Sequence, residues 1–165
     1  MELEKIQEMM AQFLQGNEIP AAASWPDGDR RALQGAMVLV SLVKMNCESV
    51  GLQDYLGERL DETTGQVTQW YGRKAKLEFA LDILAPAVAG AEVCRELFGK
   101  LVEVLQSKRP DGLTVRKLSG EDIKFDQKEG LLRLHCVASC DGWLWASGDE
   151  AADILDFTLR GDWNR

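Results

Sequence analysis

Through the first two-thirds of the chain, apolar residues recur every third or fourth position, and the period shortens after Gly112. From Glu2 to Leu14, the residues Leu3, Ile6, Met9, Met10, Phe13 and Leu14 form one stripe, the pattern of an amphipathic helix. Gly16 and Asn17 end it, glycine being suited to the left-handed position beyond a helix terminus. Residues 16–28 read as the longest irregular connection, with two prolines and Trp25 as its anchor. Asp29 then serves as N-cap of a second helix whose inner stripe is Leu33, Ala36, Met37, Val40, Val43, Cys47 and Val50. Val38, Leu39, Leu42 and Met45 fill its flanks, so this helix is apolar nearly all round and is expected to be central. A short separate helix is expected to run on to Glu62.

A third helix is predicted over Gln66–Leu84, with Val67, Trp70, Tyr71, Leu77, Leu81 and Leu84 on one side and Pro86 ending it. The fourth spans Val88–Ser107, before the break Arg109-Pro110-Asp111-Gly112. Beyond it, Leu113–Leu118, Asp122–Asp126, Leu131–Ala138 and Trp143–Ala146 read as short strands, with a tight turn at Asp141-Gly142. Ser147 and Glu150 fit a capping box for a last helix from Gly148 to about Leu159, although Leu155–Leu159 also reads as a strand. The composite expectation is α+β: a layer of about four helices packed on a small antiparallel sheet. It forms a single domain over 1–165, helical through 108 and strand-rich from 113.

Composition narrows what such a domain does. A chain of 165 residues buries enough surface to hold a core without disulfides or metals. Its 27 acids against 19 bases leave a net charge of −8, spread as −5 through Lys108 and −3 from Arg109. That balance argues against a general nucleic-acid binder and against docking on an anionic membrane. The acidic opening Met1-Glu2-Leu3-Glu4 lacks the basic start of a signal peptide. The longest uncharged apolar run, Ala32–Val43, falls short of the roughly 20 residues that span a bilayer. Four dispersed cysteines in apolar contexts suit reduced thiols, so the expected location is the cytoplasm.

Four groups of residues carry candidate chemistry. His135, Cys136, Cys140 and Asp141 fall within seven positions, as zinc ligands do. On a strand, however, His135 and Cys136 point to opposite faces, and Cys136 and Cys140 sit about 13 Å apart. The expectation is therefore buried structural thiols, no metal and no cofactor. Trp143 and Trp145 alternate and share one face, either closing a core under a helix or offering a partner-binding surface with Trp163. Trp70, Tyr71, Arg73 and Lys76 interleave aromatics with the densest positive charge, a candidate anion site; on a helix Arg73 and Lys76 share a face. Acidic ridges recur at Asp54/Glu58/Asp61/Glu62, Glu78/Asp82 and Glu92/Glu96, and read as solvated faces. No phosphate-loop, dinucleotide, nucleophile-elbow or zinc-protease motif is present, and His135 is the single histidine available to any triad.

These observations lead to a non-catalytic, acidic cytoplasmic protein-binding module of adaptor, chaperone or inhibitor type. Its expected partner is a protein, plausibly basic, or a second copy in a homodimer. The alternative is a small-ligand or nucleotide-binding protein, with or without magnesium, that uses the Trp70–Lys76 segment.

Overall fold

The computed structural model describes residues 3–23, 33–50, 54–148 and 158–160. Among the described residues, two α-helices pack on one face of a nine-stranded, largely antiparallel sheet. Helix α1 covers Leu3–Gly16 and helix α2 covers Ala91–Ser107, close to the first and fourth predicted helices. The strands are β1 Ala21–Ala22, β2 Met37–Ser49, β3 Tyr55–Leu60, β4 Val67–Pro86, β5 Leu113–Gly120, β6 Lys124–Asp126, β7 Leu131–Leu134, β8 Cys136–Gly148 and β9 Thr158–Arg160.

The expected four-helix layer is therefore overturned, because the second and third predicted helices are the two long strands β2 and β4. The physical reason lies in their composition. In β2, Val38, Val40 and Val43 are β-branched and stiff at χ1, which favours extended backbone. In β4, the run from Ala75 through Leu77, Phe79, Leu81 to Ile83 is buried at every second position. Burial alternates only as far as Phe79; from there to Ala85 every residue is buried, on both faces of the strand. A nearly continuous apolar run contains a three- and four-residue stripe as readily as an alternating one, and the stripe reads as a helix. The division into a helical and a strand-rich part fails with it. The stretch expected to be a short helix before Glu62 is mostly strand β3.

β4 is the spine of the sheet. Along one edge it pairs with β2 over residues 73–84 and with β3 over 67–71. Along the other it pairs with β8 over 69–80 and with β7 over 83–86. β8 in turn carries β5 and β9, and β7 carries β6. Asp141-Gly142 makes no turn: β8 runs straight through it, with Asp141 opposite Lys76 and Gly142 opposite Ala75. Of the predicted last helix, Gly148 ends β8 and Thr158–Arg160 form β9, while residues 149–157 lie outside the described residues. Trp25, Asp29, Glu150 and Trp163 also lie outside them.

Both helices cover the same face of the sheet. Ile6, Met10 and Leu14 of α1, and Cys94, Leu97, Leu101 and Leu105 of α2, bury against Val38, Val40, Leu77, Phe79, Leu81 and Ile83. A register shift between Leu42 and Lys44 places a bulge in β2, and the Gln7 Oε1 accepts the Leu42 amide at 2.7 Å, tying α1 to that irregularity. Lys108 at the end of α2 donates to Asn17 Oδ1 at 2.6 Å, linking the two helix ends. Among the described residues, no helix is long and apolar enough to cross a membrane.

Candidate functional site

With the helices covering one face of β4, the other face is set by parity. Ala75, Leu77 and Phe79 point to the helices, so Trp70, Gly72, Lys74 and Lys76 point away. The β8 register places Trp145 opposite Gly72, Trp143 opposite Lys74 and Asp141 opposite Lys76. Opposed residues in an antiparallel pair share a face. Three indoles from two distant segments therefore come together: Trp70, Trp143 and Trp145, all half-buried. The Trp70 and Trp145 ring centroids lie 4.3 Å apart at an interplanar angle of 53°. Leu144 between the two β8 indoles faces the core instead.

Gly72 makes this arrangement possible. A Cβ there would sit 2.6 Å from the Leu144 carbonyl oxygen, 2.6 Å from Leu56 Cδ1 and 3.2 Å from Trp145 Cβ. The backbone oxygen cannot step aside as a flexible side chain would. Gly72→Ala is expected to cost about 1–3 kcal/mol by overpacking. It should also shift the tryptophan emission as the Trp70–Trp145 contact opens. Urea unfolding and emission spectra check both; an unchanged midpoint would mean that β8 does not lie against β4 at this register.

The charges on this face are already matched. Lys76 Nζ donates to Glu48 Oε1 at 2.8 Å, and that bond and charge raise the ammonium above its ordinary range. Asp141 Oδ2 accepts from Arg116 Nε at 2.9 Å and lies 3.8 Å from Lys74 Nζ. Tyr71 and Arg73, which alternate with Trp70 and Gly72, turn to the opposite side. There Tyr71 meets Tyr55 edge-on at 5.7 Å and donates to Gln69 Oε1 at 2.6 Å. Arg73 pairs with Asp54 Oδ2 at 2.7 Å, and the Ser49 hydrogen bond and Arg73 hold the Asp54 carboxyl below its usual range.

The two candidate groups are thus recombined. Trp143 and Trp145 join Trp70 and Lys76 on one surface, whereas Tyr71 and Arg73 leave it. The expectation that Arg73 and Lys76 share a face rested on a helix; three residues along a strand put them on opposite sides.

A second cluster lies farther along the same outward face, and sequence reasoning missed it. Asp82, 5% exposed, is the buried charged residue of the core region. His135 Nδ1 lies 2.5 Å from Asp82 Oδ1, and the Arg133 guanidinium donates to Asp82 Oδ2. Leu39 stands opposite Asp82 in β2, and Leu84 and Leu131 join it in a cavity of about 170 Å³. Glu78 and Asp82 form no helical ridge, since four residues along a strand separate them by about 13 Å. The signal for this cluster was a single carboxylate within the apolar run Phe79–Ala85.

His135 and Cys136 do point apart: the histidine meets Asp82, while Cys136 is fully buried with its thiol directed to the Leu134 carbonyl at 3.8 Å. Burial, reinforced by the Asp82 carboxylate, pushes the Cys136 thiol up to about 12. Burial and Asp141 do the same for Cys140. Cys94 is buried and raised as well, whereas Cys47, placed by sequence on an apolar helix face, is exposed on β2. Asp61 caps the β3–β4 turn by accepting the Thr63 and Thr64 amides, and Glu92 pairs with Arg95. Among the described residues no group of three or more His, Cys, Asp or Glu side chains is gathered as a metal site.

No protein-family model and no curated protein matches the chain. Among solved structures it is similar to a chain in the cryo-EM structure of an extracellular contractile injection system, the PVC sheath/tube terminator in its extended state. The two share 14% identity with a TM-score of 0.46, over 100% of this chain and 65% of that one, so this chain spans just under two-thirds of its neighbour's length.

Proposed function

We propose that the chain is a non-catalytic, acidic, cytoplasmic protein-binding module, adaptor-, chaperone- or inhibitor-like, whose contact surface is the outward face of β4 and β8. The observation that carries this reading is the convergence of Trp70, Trp143 and Trp145 on a sheet face turned away from both helices. Indoles dominate binding energy at protein interfaces because they bring a large area at little entropic cost. Lys74, Lys76 and Arg116 around them are paired with Asp141 and Glu48, so a partner covering the face desolvates matched charges instead of lone ones. The net charge of −8 steers a basic partner toward the chain and disfavours acidic ones.

Site-specific photocrosslinking from position 143 in the native host tests this. A discrete crosslinked protein is expected, lost on Trp145→Ala and absent when the photoreactive group sits at exposed Glu96 on α2. A crosslink to a second copy of the chain identifies the partner as itself. Equal labelling from both positions would sink the proposal. Nucleotides, with or without magnesium, are expected to leave the thermal midpoint unchanged; stabilisation by any of them favours the small-ligand reading.

A further inference from the structure

On the helix side of the sheet, the corner between α2, the end of β5 and the β6–β7 hairpin holds a groove of about 530 Å³. Its origin is a mismatch in register. Gly120 pairs with Cys136 and Lys124 with Arg133, so residues 121–123 oppose only 134 and 135. The longer side bows outward, held by the Glu121 amide donating to the His135 carbonyl at 2.9 Å. Beneath the bow lie Phe98, Leu132 and Leu134, with Phe125 at the margin, 54% exposed. A Cβ on Gly120 would come within 3.1 Å of the Phe98 ring, so glycine lets the ring sit flush under the bow.

Two further features say what fits there. β6 closes the sheet path and pairs with β7 alone among the described strands, so its outer peptide groups face no neighbouring strand. Such an edge is a template for an added strand. The lip of the groove is negative. Arg95 is matched by Glu92 at 3.0 Å and Glu121 by Lys124 at 3.3 Å, leaving the Asp122 carboxylate without an ion pair among the described residues.

We propose that this corner is a peptide-docking site, taking an extended basic-apolar segment of a partner protein by strand addition to β6. An aliphatic side chain enters the groove over Phe98 and Leu132. A lysine or arginine two positions away, on the same face of the segment, meets Asp122. This site lies across the sheet from the indole face and stands or falls independently of it.

The test uses the full chain and a fluorescein-labelled peptide, Lys-Thr-Leu-Thr-Lys, whose alternate residues present Lys, Leu and Lys on one face in either strand direction. Anisotropy should show saturable binding, weakened roughly tenfold when both lysines become glutamates, about the effect of one ion pair at a partly desolvated site. Asp122→Lys is expected to reverse that preference, and Phe125→Ser to weaken binding of the original peptide. Both residues are on the surface, so the fold is retained. Of two peptides N-methylated on alternate amides, one should lose binding, because only one set faces β6. Trp143→Ala should change none of this. Equal affinity for the lysine and glutamate peptides, or binding indifferent to Asp122→Lys and to both N-methylation patterns, overturns the proposal.

Discussion

Asp82→Ala is expected to lower the unfolding free energy by about 3 kcal/mol, whereas Asp82→Leu recovers more than half of that loss. The asymmetry follows from what surrounds the carboxylate. Asp82 is nearly fully buried, yet its partners are not: the Arg133 side chain is 49% exposed and that of His135 is 36% exposed. Alanine removes two charge-assisted hydrogen bonds and leaves a void beside Leu39, Leu84 and Leu131. Leucine fills that void with apolar surface, and Arg133 and His135 turn to water. Replacing a buried ion pair with well-packed apolar groups is often nearly neutral, whereas stranding one partner is costly. Urea denaturation of both variants decides the matter. Equal destabilisation by alanine and leucine would show that the carboxylate itself, and no packing term, holds β7 against β4.

Alkaline pH is expected to unfold the protein through its buried thiols. In the folded chain the Cys136 and Cys140 thiols rise from an ordinary 9.0 to about 12. Below pH 9 both states keep these protons, and the thiols make stability neither rise nor fall. Between pH 9 and 12 the unfolded chain releases them and the folded chain does not, so each upward unit favours unfolding by roughly 1 kcal/mol per thiol. Stability should therefore fall steeply as pH rises through this window. The Cys136→Val/Cys140→Val double variant separates the thiols from tyrosines and lysines, which also titrate there. Its stability should decline visibly less over the same range; identical slopes would mean that the thiols are reachable by solvent in the folded state. At pH 8, Cys47 should take up a thiol reagent while Cys94, Cys136 and Cys140 do so only on unfolding.

The two helices were legible because their apolar positions keep a single period between clear breaks, Gly16 for α1 and the Pro86–Gly90 and Arg109–Gly112 segments for α2. β5 and β6 were legible because turns punctuate them, whereas the single strand expected over Leu131–Ala138 divides at His135 into β7 and the start of β8. β2 and β4 were not: over 79–85 β4 is buried on both faces and loses the alternation that marks a half-buried strand, and the apolar run of β2 fits a helical stripe as well as a strand. Ala80, Asp82 and Leu84 are buried on the outward face of β4, opposite Leu81 and Ile83. The shared face of Trp143 and Trp145 followed from alternation alone. Their meeting with Trp70 did not, because it depends on the register between β4 and β8, which no local pattern encodes. The same holds for Asp82 and His135, which lie 53 positions apart and oppose each other only because that register continues past the end of β8.

The length of β4 has a consequence for how the chain reaches this fold. β2 can zip onto β4 as soon as both have been made, but the strand that covers its other edge comes much later: Gln69 waits for Gly148, and Ala80 for Val137. Contacts this distant in sequence carry a large loop-closure cost and form slowly. During synthesis a nascent chain ending near Ser107 therefore presents one long bare edge, rich in alternating Leu, Phe and Ile. Once completed, two chains can cover it by exchanging their C-terminal strands as well as by closing each on itself. Domain-swapped dimers formed by refolding at high concentration, and suppressed by adding the separate 109–165 segment in excess, would be the signature of that competition.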